Sequence, residues 1–190
     1  MTVPGMEIAT ERLVLREFGQ EDWRAVLDYQ RDPLYLRFYP WEDRSEAEVR
    51  DFVEMFCGWQ TEQPRRRFQL AIVLREDGRL IGNCGIRRKI DNDWEADLGY
   101  ELAPQYWGCG YATEAGRAMV DFGFRELGLR RISSWCIADN IASVRVLERL
   151  GFGNEGRLTR NEYFKGQWWD TLLFGLLADD WQPDTSTGGA

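Results

Sequence analysis

The 190-residue chain contains no histidine. Without an imidazole it has no Ser-His or Cys-His pair for nucleophilic catalysis, and it lacks a side chain that most hydrolytic zinc sites use. Any acid–base chemistry must therefore be carried by carboxylates, hydroxyls, cysteine or lysine.

Cysteines are few and widely separated. The chain has Cys57, Cys84, Cys109 and Cys136, and no two of them form a CxxC pair. This spacing gives no sign of a zinc site or a redox motif. We predict free thiols and no bound metal.

Long apolar runs and an excess of basic residues are also missing. The longest late apolar stretch, residues 172–178, is far too short to cross a bilayer, and no early apolar run resembles a signal peptide. The formal net charge is −8, whereas phosphate backbones require a basic face. We predict a cytoplasmic protein without membrane or nucleic-acid partners, whose acidity is compatible with a cationic acceptor.

The pattern of elements predicts one α+β domain over residues 8–181, with residues 1–7 and 182–190 as flexible tails. Alternating apolar residues over 11–18 predict a strand, and Ser45-x-x-Glu48 predicts the start of a helix. The predicted order is β-α-α-β-β-β-α-β-α-β-β, with residues 33–44 irregular. This order is typical of a mixed sheet with helices on both faces.

Residues 105–115, "QYWGCGYATEA", place two glycines between a predicted strand and a predicted helix. Glycines permit close backbone approach, and the first turn of a helix has free N–H groups that bind phosphate oxygens. A tight turn without a ligand is the alternative. A Walker A loop is excluded because no lysine follows, and Thr113 stands where a dinucleotide fingerprint has its last small residue.

Three ordered blocks resemble one known family. They are Gln105-x-x-Gly108-x-Gly110, residues 140–152 "NIASVRVLERLGF", and the late segment "YFKGQWWDTLLFGLL". Together they resemble the GNAT N-acetyltransferases, in particular the branch with the ribosomal-protein N-terminal alanine acetyltransferases, over about residues 8–181. The resemblance implies a largely antiparallel mixed sheet of about seven strands, with its fourth and fifth strands splayed around acetyl-CoA.

The resemblance also implies the residues that bind the donor. The backbone of Leu102 and Ala103 would bond to the pantetheine arm like an added strand. Asn140 would reach the pantetheine, although an N-cap is its alternative role. The motif residue Gln105 and the following loop would hold the pyrophosphate, the loop residues being Trp107, Gly108, Cys109, Gly110, Tyr111 and Ala112.

The implied chemistry is direct attack of an amine on a thioester. Ser143, three residues after Asn140, would give a proton to the CoA sulfur, unless it is only a surface or capping serine. Other branches place a tyrosine where this chain has Leu147. The candidate bases are Asp97 and Glu101, which share one strand face. A water chain without a dedicated base is the alternative, since Trp135 occupies the position of a glutamate found in some relatives.

The acceptor stays open between several classes. A protein N-terminal amine has a pKa near 8, so roughly a tenth is free base at pH 7, against far less of a lysine. Aminoglycosides and polyamines are alternative acceptors. The acyl group could be another one, such as succinyl. Two alternatives to an enzyme are a non-catalytic acyl-CoA-binding module and a plain interaction protein. We expect an aromatic wall for the acceptor from Tyr35, Phe38, Tyr39 and Trp41. A homodimer is plausible by resemblance alone.

Overall fold

A computed structural model of the chain describes residues 5–183. The strands are β1 (Glu7–Ala9), β2 (Leu13–Glu17), β3 (Arg67–Leu74), β4 (Leu80–Lys89), β5 (Asn92–Leu102), β6 (Arg131–Ile137), β7 (Gly153–Phe164) and β8 (Gln167–Leu177). The helices are α1 (Trp23–Gln30), α2 (Pro33–Leu36), α3 (Glu46–Trp59), α4 (Tyr111–Arg125) and α5 (Ile141–Arg149). None of these helices is long and apolar enough to cross a membrane.

The local signals in the sequence account for the main elements. At the start of α3, the Ser45 hydroxyl accepts from the Glu48 amide and the Glu48 carboxylate accepts from the Ser45 amide, as a capping box requires. Strand β3 is apolar over most of its length because it is buried on both faces. The turn at Lys165 and Gly166 has both residues at positive φ and joins β7 to β8.

One sheet runs through the domain in the order β1-β2-β3-β4-β5-β6-β8-β7. Every neighbouring pair is antiparallel except β5 and β6, which are parallel. Helices α4 and α5 pack on one face, over a core that includes Met119 and Leu147. Helices α1 to α3 pack on the other face, around Trp23 and Phe56. The predicted mixed sheet with helices on both faces is confirmed.

Strands β5 and β6 separate part of the way along. Their pairing covers only three residue pairs, the last being Asp97 opposite Ser133. The Ser134 hydroxyl still donates to the Leu98 carbonyl at 2.9 Å. Beyond that point β5 continues to Leu102 without a β6 partner. These are the fourth and fifth strands of the predicted order, so the predicted splay is present. It opens a gap in the middle of the sheet.

The structure adds two elements to the predicted order. Strand β1 gives the sheet eight strands, and it pairs with β2 from Glu7 opposite Arg16, where no strand was predicted. Three residues are too few for alternation to be recognised. Helix α2 replaces part of the irregular 33–44 segment, because Pro33 occupies its first turn and the Asp32 carboxylate accepts from the Leu34 amide. Residues 1–4 and 184–190, in the predicted tails, lie outside the described residues.

Candidate active site

The gap exposes one edge of β5. Ala103 donates its amide to the Ile81 carbonyl at 2.8 Å, so odd-numbered residues at this end of β5 bond toward β4 and even-numbered ones face the gap. The backbone polar groups of Tyr100 and the Leu102 amide therefore face the position expected for pantetheine. The Leu102 carbonyl accepts from the Trp107 indole at 2.7 Å. The Ala103 carbonyl accepts a hydrogen bond from the Tyr106 amide at 2.9 Å.

The glycine loop leads directly into α4. Gly108 and Gly110 have φ of +78° and +84°, conformations that side-chain-bearing residues rarely adopt. A Cβ on Gly108 would meet no atom within 4 Å, so open space lies beside the loop. Gly110 is the N-cap of α4, whose first-turn amides lack helical partners. The loop thus has the conformation, space and donors needed for a pyrophosphate.

Arg12, directly before β2, contacts this loop from outside. Its guanidinium donates to the Cys109 carbonyl at 3.0 Å and pairs with the Glu114 carboxylate, and it lies 4.5 Å from the Tyr111 ring centroid. Glu114 also accepts from the Thr10 hydroxyl at 2.6 Å. Burial opposes ionisation of Glu114, but these hydrogen bonds outweigh it and lower the pKa of the carboxyl. Arg12 therefore neutralises the Glu114 carboxylate in the first turn of α4, next to the glycine loop.

On the α4–α5 side of the gap, three polar side chains meet at the start of α5. The Asn140 amide oxygen accepts from the Ser143 amide at 3.2 Å, so Asn140 is an N-cap, and its NH₂ group remains for another partner. The Ser143 hydroxyl lies 2.8 Å from the Tyr100 hydroxyl. Burial raises the pKa of Tyr100 above its ordinary value, so the phenol stays neutral.

On the opposite face, one oxygen of Glu101 collects three donors. They are the Tyr29 hydroxyl at 3.2 Å, the Gln30 amide at 3.0 Å and the Asn83 amide at 3.0 Å. These bonds fix the orientation of the carboxylate. Burial and the nearby charge of Glu101 raise the pKa of Tyr29 well above its usual range, so Tyr29 remains a neutral donor.

Asp97 is in a different environment on the same face of β5. Its carboxylate pairs with the Arg87 guanidinium, which donates from Nε at 2.8 Å and also from Nη2. Arg87 in turn donates to Gln69 at 3.0 Å, and Gln69 donates to Asn83 at 2.7 Å. A continuous polar chain therefore joins Asp97 to Glu101 beneath the helices. Asp97 serves as one end of an ion pair in this chain.

Two of the four residues expected to form an aromatic wall for the acceptor, Tyr35 and Tyr39, lie near Glu101. Tyr35 stacks on Tyr39 with centroids 4.6 Å apart, and Tyr39 stacks on Trp41 at 4.7 Å. Phe38 packs edge-to-face with Trp169 on β8, with ring centroids 5.8 Å apart. The Tyr35 hydroxyl is buried without a hydrogen bond of good geometry. Three of the four aromatics thus form one stack, and the fourth joins this wall to the β7–β8 hairpin.

An open cleft of about 630 Å³ adjoins the wall. It lies between α2 and the tip of the β7–β8 hairpin, and the Lys165 ammonium donates to the Leu36 carbonyl at 2.6 Å across it. Its lining residues are Arg31, Pro33, Leu36, Glu42, Asp43, Lys165 and Gly166. Within residues 5–183, no group of three or more histidine, cysteine or carboxylate side chains is arranged to hold a metal ion.

Comparisons with known proteins agree with this geometry. The family model described as "Acetyltransferase (GNAT) domain" matches residues 12–153. YnaD, an uncharacterized N-acetyltransferase of Bacillus subtilis, is 31% identical over 176 residues, which cover 93% of this chain and 99% of the relative. The [Ribosomal protein uS5]-alanine N-acetyltransferase of Escherichia coli is 29% identical over 194 residues, covering 95% of each chain.

A solved structure supports the fold. Spermidine N-acetyltransferase from Vibrio cholerae, in complex with CoA and spermine, superimposes with a TM-score of 0.76 at 19% identity, covering 90% of this chain and 98% of that one. The chain belongs to the GNAT acetyltransferase family. Enzymes of this family use acetyl-CoA, and the glycine loop and the gap beside β5 fit that donor.

The candidate site includes residues that the sequence patterns did not predict. Five residues contact predicted site residues from a different element or from across the gap between β5 and β6. They are Arg12, Tyr29, Asn83, Arg87 and Tyr100. One signal was available. Asn83 is a polar residue inside an apolar strand pattern, and such a residue needs a buried partner.

Proposed function

We propose that this GNAT enzyme transfers the acetyl group of acetyl-CoA to a primary amine by direct attack in a ternary complex, and that the acceptor is a protein N-terminal amine. The observation that carries the proposal is the placement of two groups around one gap. The Glu101 carboxylate lies on the α1–α3 side of β5, and the Ser143 hydroxyl lies on the α4–α5 side. An amine entering from the first side would meet the base before the thioester.

Glu101 is our choice for the base, in preference to Asp97. Asp97 is engaged by two guanidinium nitrogens of Arg87, so protonating it would break an ion pair. In Glu101 the three hydrogen bonds from Tyr29, Gln30 and Asn83 fall on one oxygen, and the Tyr39 hydroxyl is a further partner of the carboxylate. All of these partners are neutral, so an amine or a water would replace a neutral donor rather than break an ion pair. Ser143 would supply the proton that the CoA sulfur needs.

The loop from Trp107 through Ala112 would hold the pyrophosphate, and the gap-facing backbone near Leu102 would hold the pantetheine. Asn140 would add a contact from its NH₂ group, which its capping role does not use. Pantetheine would share the Leu102 carbonyl with the Trp107 indole or displace it. The amide and carbonyl of Ala103 already have protein partners, so we expect the weaker contact there.

Two considerations favour an N-terminal amine as the acceptor. The first is the relationship to the E. coli uS5-alanine enzyme along nearly the whole chain. The second is that an α-amine has roughly a tenth of its molecules as free base at pH 7, so it makes a small demand on a single carboxylate. Small polyamines are the second candidate, because stacked aromatics near a carboxylate also suit a flexible cation.

A thiol-release assay tests the proposal. Acetyl-CoA would be offered with short peptides that have a free N-terminus, with the same peptides N-terminally blocked and carrying an internal lysine, with polyamines and with aminoglycosides. We expect release only with the free N-termini, and at least a tenfold loss on Ser143→Ala. Thiol release with polyamines alone would show that the acceptor is a polyamine and not a protein N-terminus. CoA binding without turnover would favour a non-catalytic module.

A further inference from the structure

Tyr100 bridges the open part of the gap. It lies on β5 two residues beyond Leu98, the last residue whose carbonyl a β6 side chain holds. Its hydroxyl reaches α5, at 2.8 Å from the Ser143 hydroxyl and 3.1 Å from the Ser143 carbonyl. The Asn140 side chain holds the Ser143 amide from the other side. Ser143 is thus fixed by one strand and one helix cap.

The partners of the Ser143 hydroxyl are neutral at physiological pH. Burial raises the pKa of Tyr100, and it raises the pKa of the neighbouring Cys136 thiol to about 11. Each hydroxyl has a single proton, so two arrangements are available. In the first, Tyr100 donates to the Ser143 carbonyl at 3.1 Å and the Ser143 hydroxyl donates to Tyr100. In the second, Tyr100 donates to the Ser143 hydroxyl oxygen at the shorter distance of 2.8 Å, and the serine proton points elsewhere.

We propose that Tyr100 is a positioning residue, which donates to the Ser143 oxygen and thereby directs the Ser143 proton toward the thioester sulfur. This inference rests on the proposed role of Ser143 as the acid. No other hydroxyl in residues 5–183 is recorded within hydrogen-bond distance of the Ser143 oxygen. The Tyr100 side chain acts through Ser143, and only the backbone of this residue faces the position expected for pantetheine.

The proposed step balances as follows. The amine nitrogen bonds to the acetyl carbon, its proton passes to Glu101, and the carbon–sulfur bond breaks with its electron pair on sulfur. The Ser143 proton moves to the sulfur and gives the CoA thiol. As negative charge grows on the Ser143 oxygen, the hydrogen bond from Tyr100 strengthens, because bonds to charged acceptors are the stronger ones. After the thiol leaves, Glu101 releases its proton to water and Ser143 takes a proton from water, so both side chains return to their starting states.

A double-mutant cycle tests the proposal. Tyr100→Phe, Ser143→Ala and the double variant would be compared by kcat and by KM for acetyl-CoA. We expect Tyr100→Phe to lower kcat about tenfold with KM changed less than twofold, and to cost less than twofold in the Ser143→Ala background. Tyr163→Phe is the matched control, since Tyr163 is an exposed β7 tyrosine against Trp168, and it should leave both constants unchanged.

The outcomes separate this inference from the proposed function. Additive losses in the cycle, or a Tyr100→Phe effect on KM alone, would overturn the positioning role while leaving the enzyme an acetyltransferase. Absence of turnover with every amine would instead reject the proposed function. CoA affinity, measured by calorimetry on each variant, reports folding and donor binding without turnover. An unchanged affinity together with a coupled loss of kcat is the result that supports Tyr100.

Discussion

The two candidate bases on β5, Asp97 and Glu101, differ at the scale of single residues because their hydrogen-bond donors differ. Glu101 is held by three neutral groups, whereas Asp97 faces a guanidinium. A carboxylate that must take a proton works best where ionisation is not locked by a cation. The strand places the two side chains alike, and the surrounding helices and strands make them unlike.

Glu101→Gln should therefore abolish most of the turnover. We expect kcat to fall about 100-fold, with KM for acetyl-CoA little changed, because a positioned base contributes on the order of 10² to 10⁴ in rate. Steady-state thiol release measures both constants. Asp97→Asn is the matched variant on the same strand face, and it should lose stability by about 1 kcal/mol while kcat stays within threefold. The reverse pattern would move the base to Asp97.

At the scale of elements, the joint between β2, the glycine loop and α4 prepares the donor site. Arg12 holds the Cys109 carbonyl, and the positive φ of Gly110 turns the chain into the helix. The conformation of the loop was predictable, because glycine spacing is a local property. The clamp from Arg12 was not, since 97 residues separate it from Cys109 and no pattern in either segment refers to the other.

Gly110→Ala should weaken CoA binding. An alanine at φ +84° is strained by roughly 1–2 kcal/mol, so the free loop relaxes and CoA must restore the strained form. This corresponds to about a tenfold rise in the Kd for CoA, measured by calorimetry. Gly58→Ala is the control, because Gly58 lies in α3 with no atom near its Cβ and no positive φ. An unchanged Kd for CoA in Gly110→Ala would show that the glycine loop does not bind the donor.

The Glu114 carboxylate should make the same joint sensitive to acid. Its pKa is lowered in the folded protein, so its contribution is fully present above the unfolded value near 4.5 and is lost as pH falls through the lowered folded value. Glu114→Gln should cost about 2 kcal/mol at pH 7, since it removes charge-assisted hydrogen bonds, and much less near pH 3. Urea unfolding at both pH values measures this.

A control distinguishes this effect from a general change of charge. Glu148→Gln removes the same charge from an exposed position on α5, and we expect less than 0.5 kcal/mol at either pH. A Glu114→Gln penalty that is equal at pH 7 and pH 3 would contradict an ionic contribution. It would indicate lost packing against β2 instead.

At the scale of the whole molecule, the class of the fold was more predictable from the sequence than the chemistry of the site. Ser143 and Asn140 could be related because helix spacing relates them, and the structure keeps them in contact. Tyr100 could not be added, since its link to Ser143 joins elements 43 residues apart across an unpaired strand edge. The sequence alone also could not rank Asp97 and Glu101, because their ranking depends on hydrogen-bond partners from α1 and β4.

The formal net charge of −8 belongs to this largest scale and bears on the acceptor. A molecule this acidic attracts cations over distances set by the ionic strength, and the screening length falls from about 30 Å at 10 mM salt to about 10 Å at 100 mM. At the cleft beside α2, Glu42 and Asp43 are balanced by Arg31 and Lys165, so this attraction belongs to the molecule as a whole. A basic peptide should therefore be captured more readily at low salt.

We expect KM for a peptide acceptor of net charge +3 to rise about fivefold between 10 and 100 mM NaCl, as weakened electrostatic steering predicts. A peptide of the same length and N-terminal residue but net charge zero is the control, and its KM should change less than 1.5-fold. Thiol-release kinetics at saturating acetyl-CoA give both values. Equal salt dependence for the two peptides would show that the acidic surface plays no part in acceptor capture, and recognition would then rest on the aromatic wall and Glu101 alone.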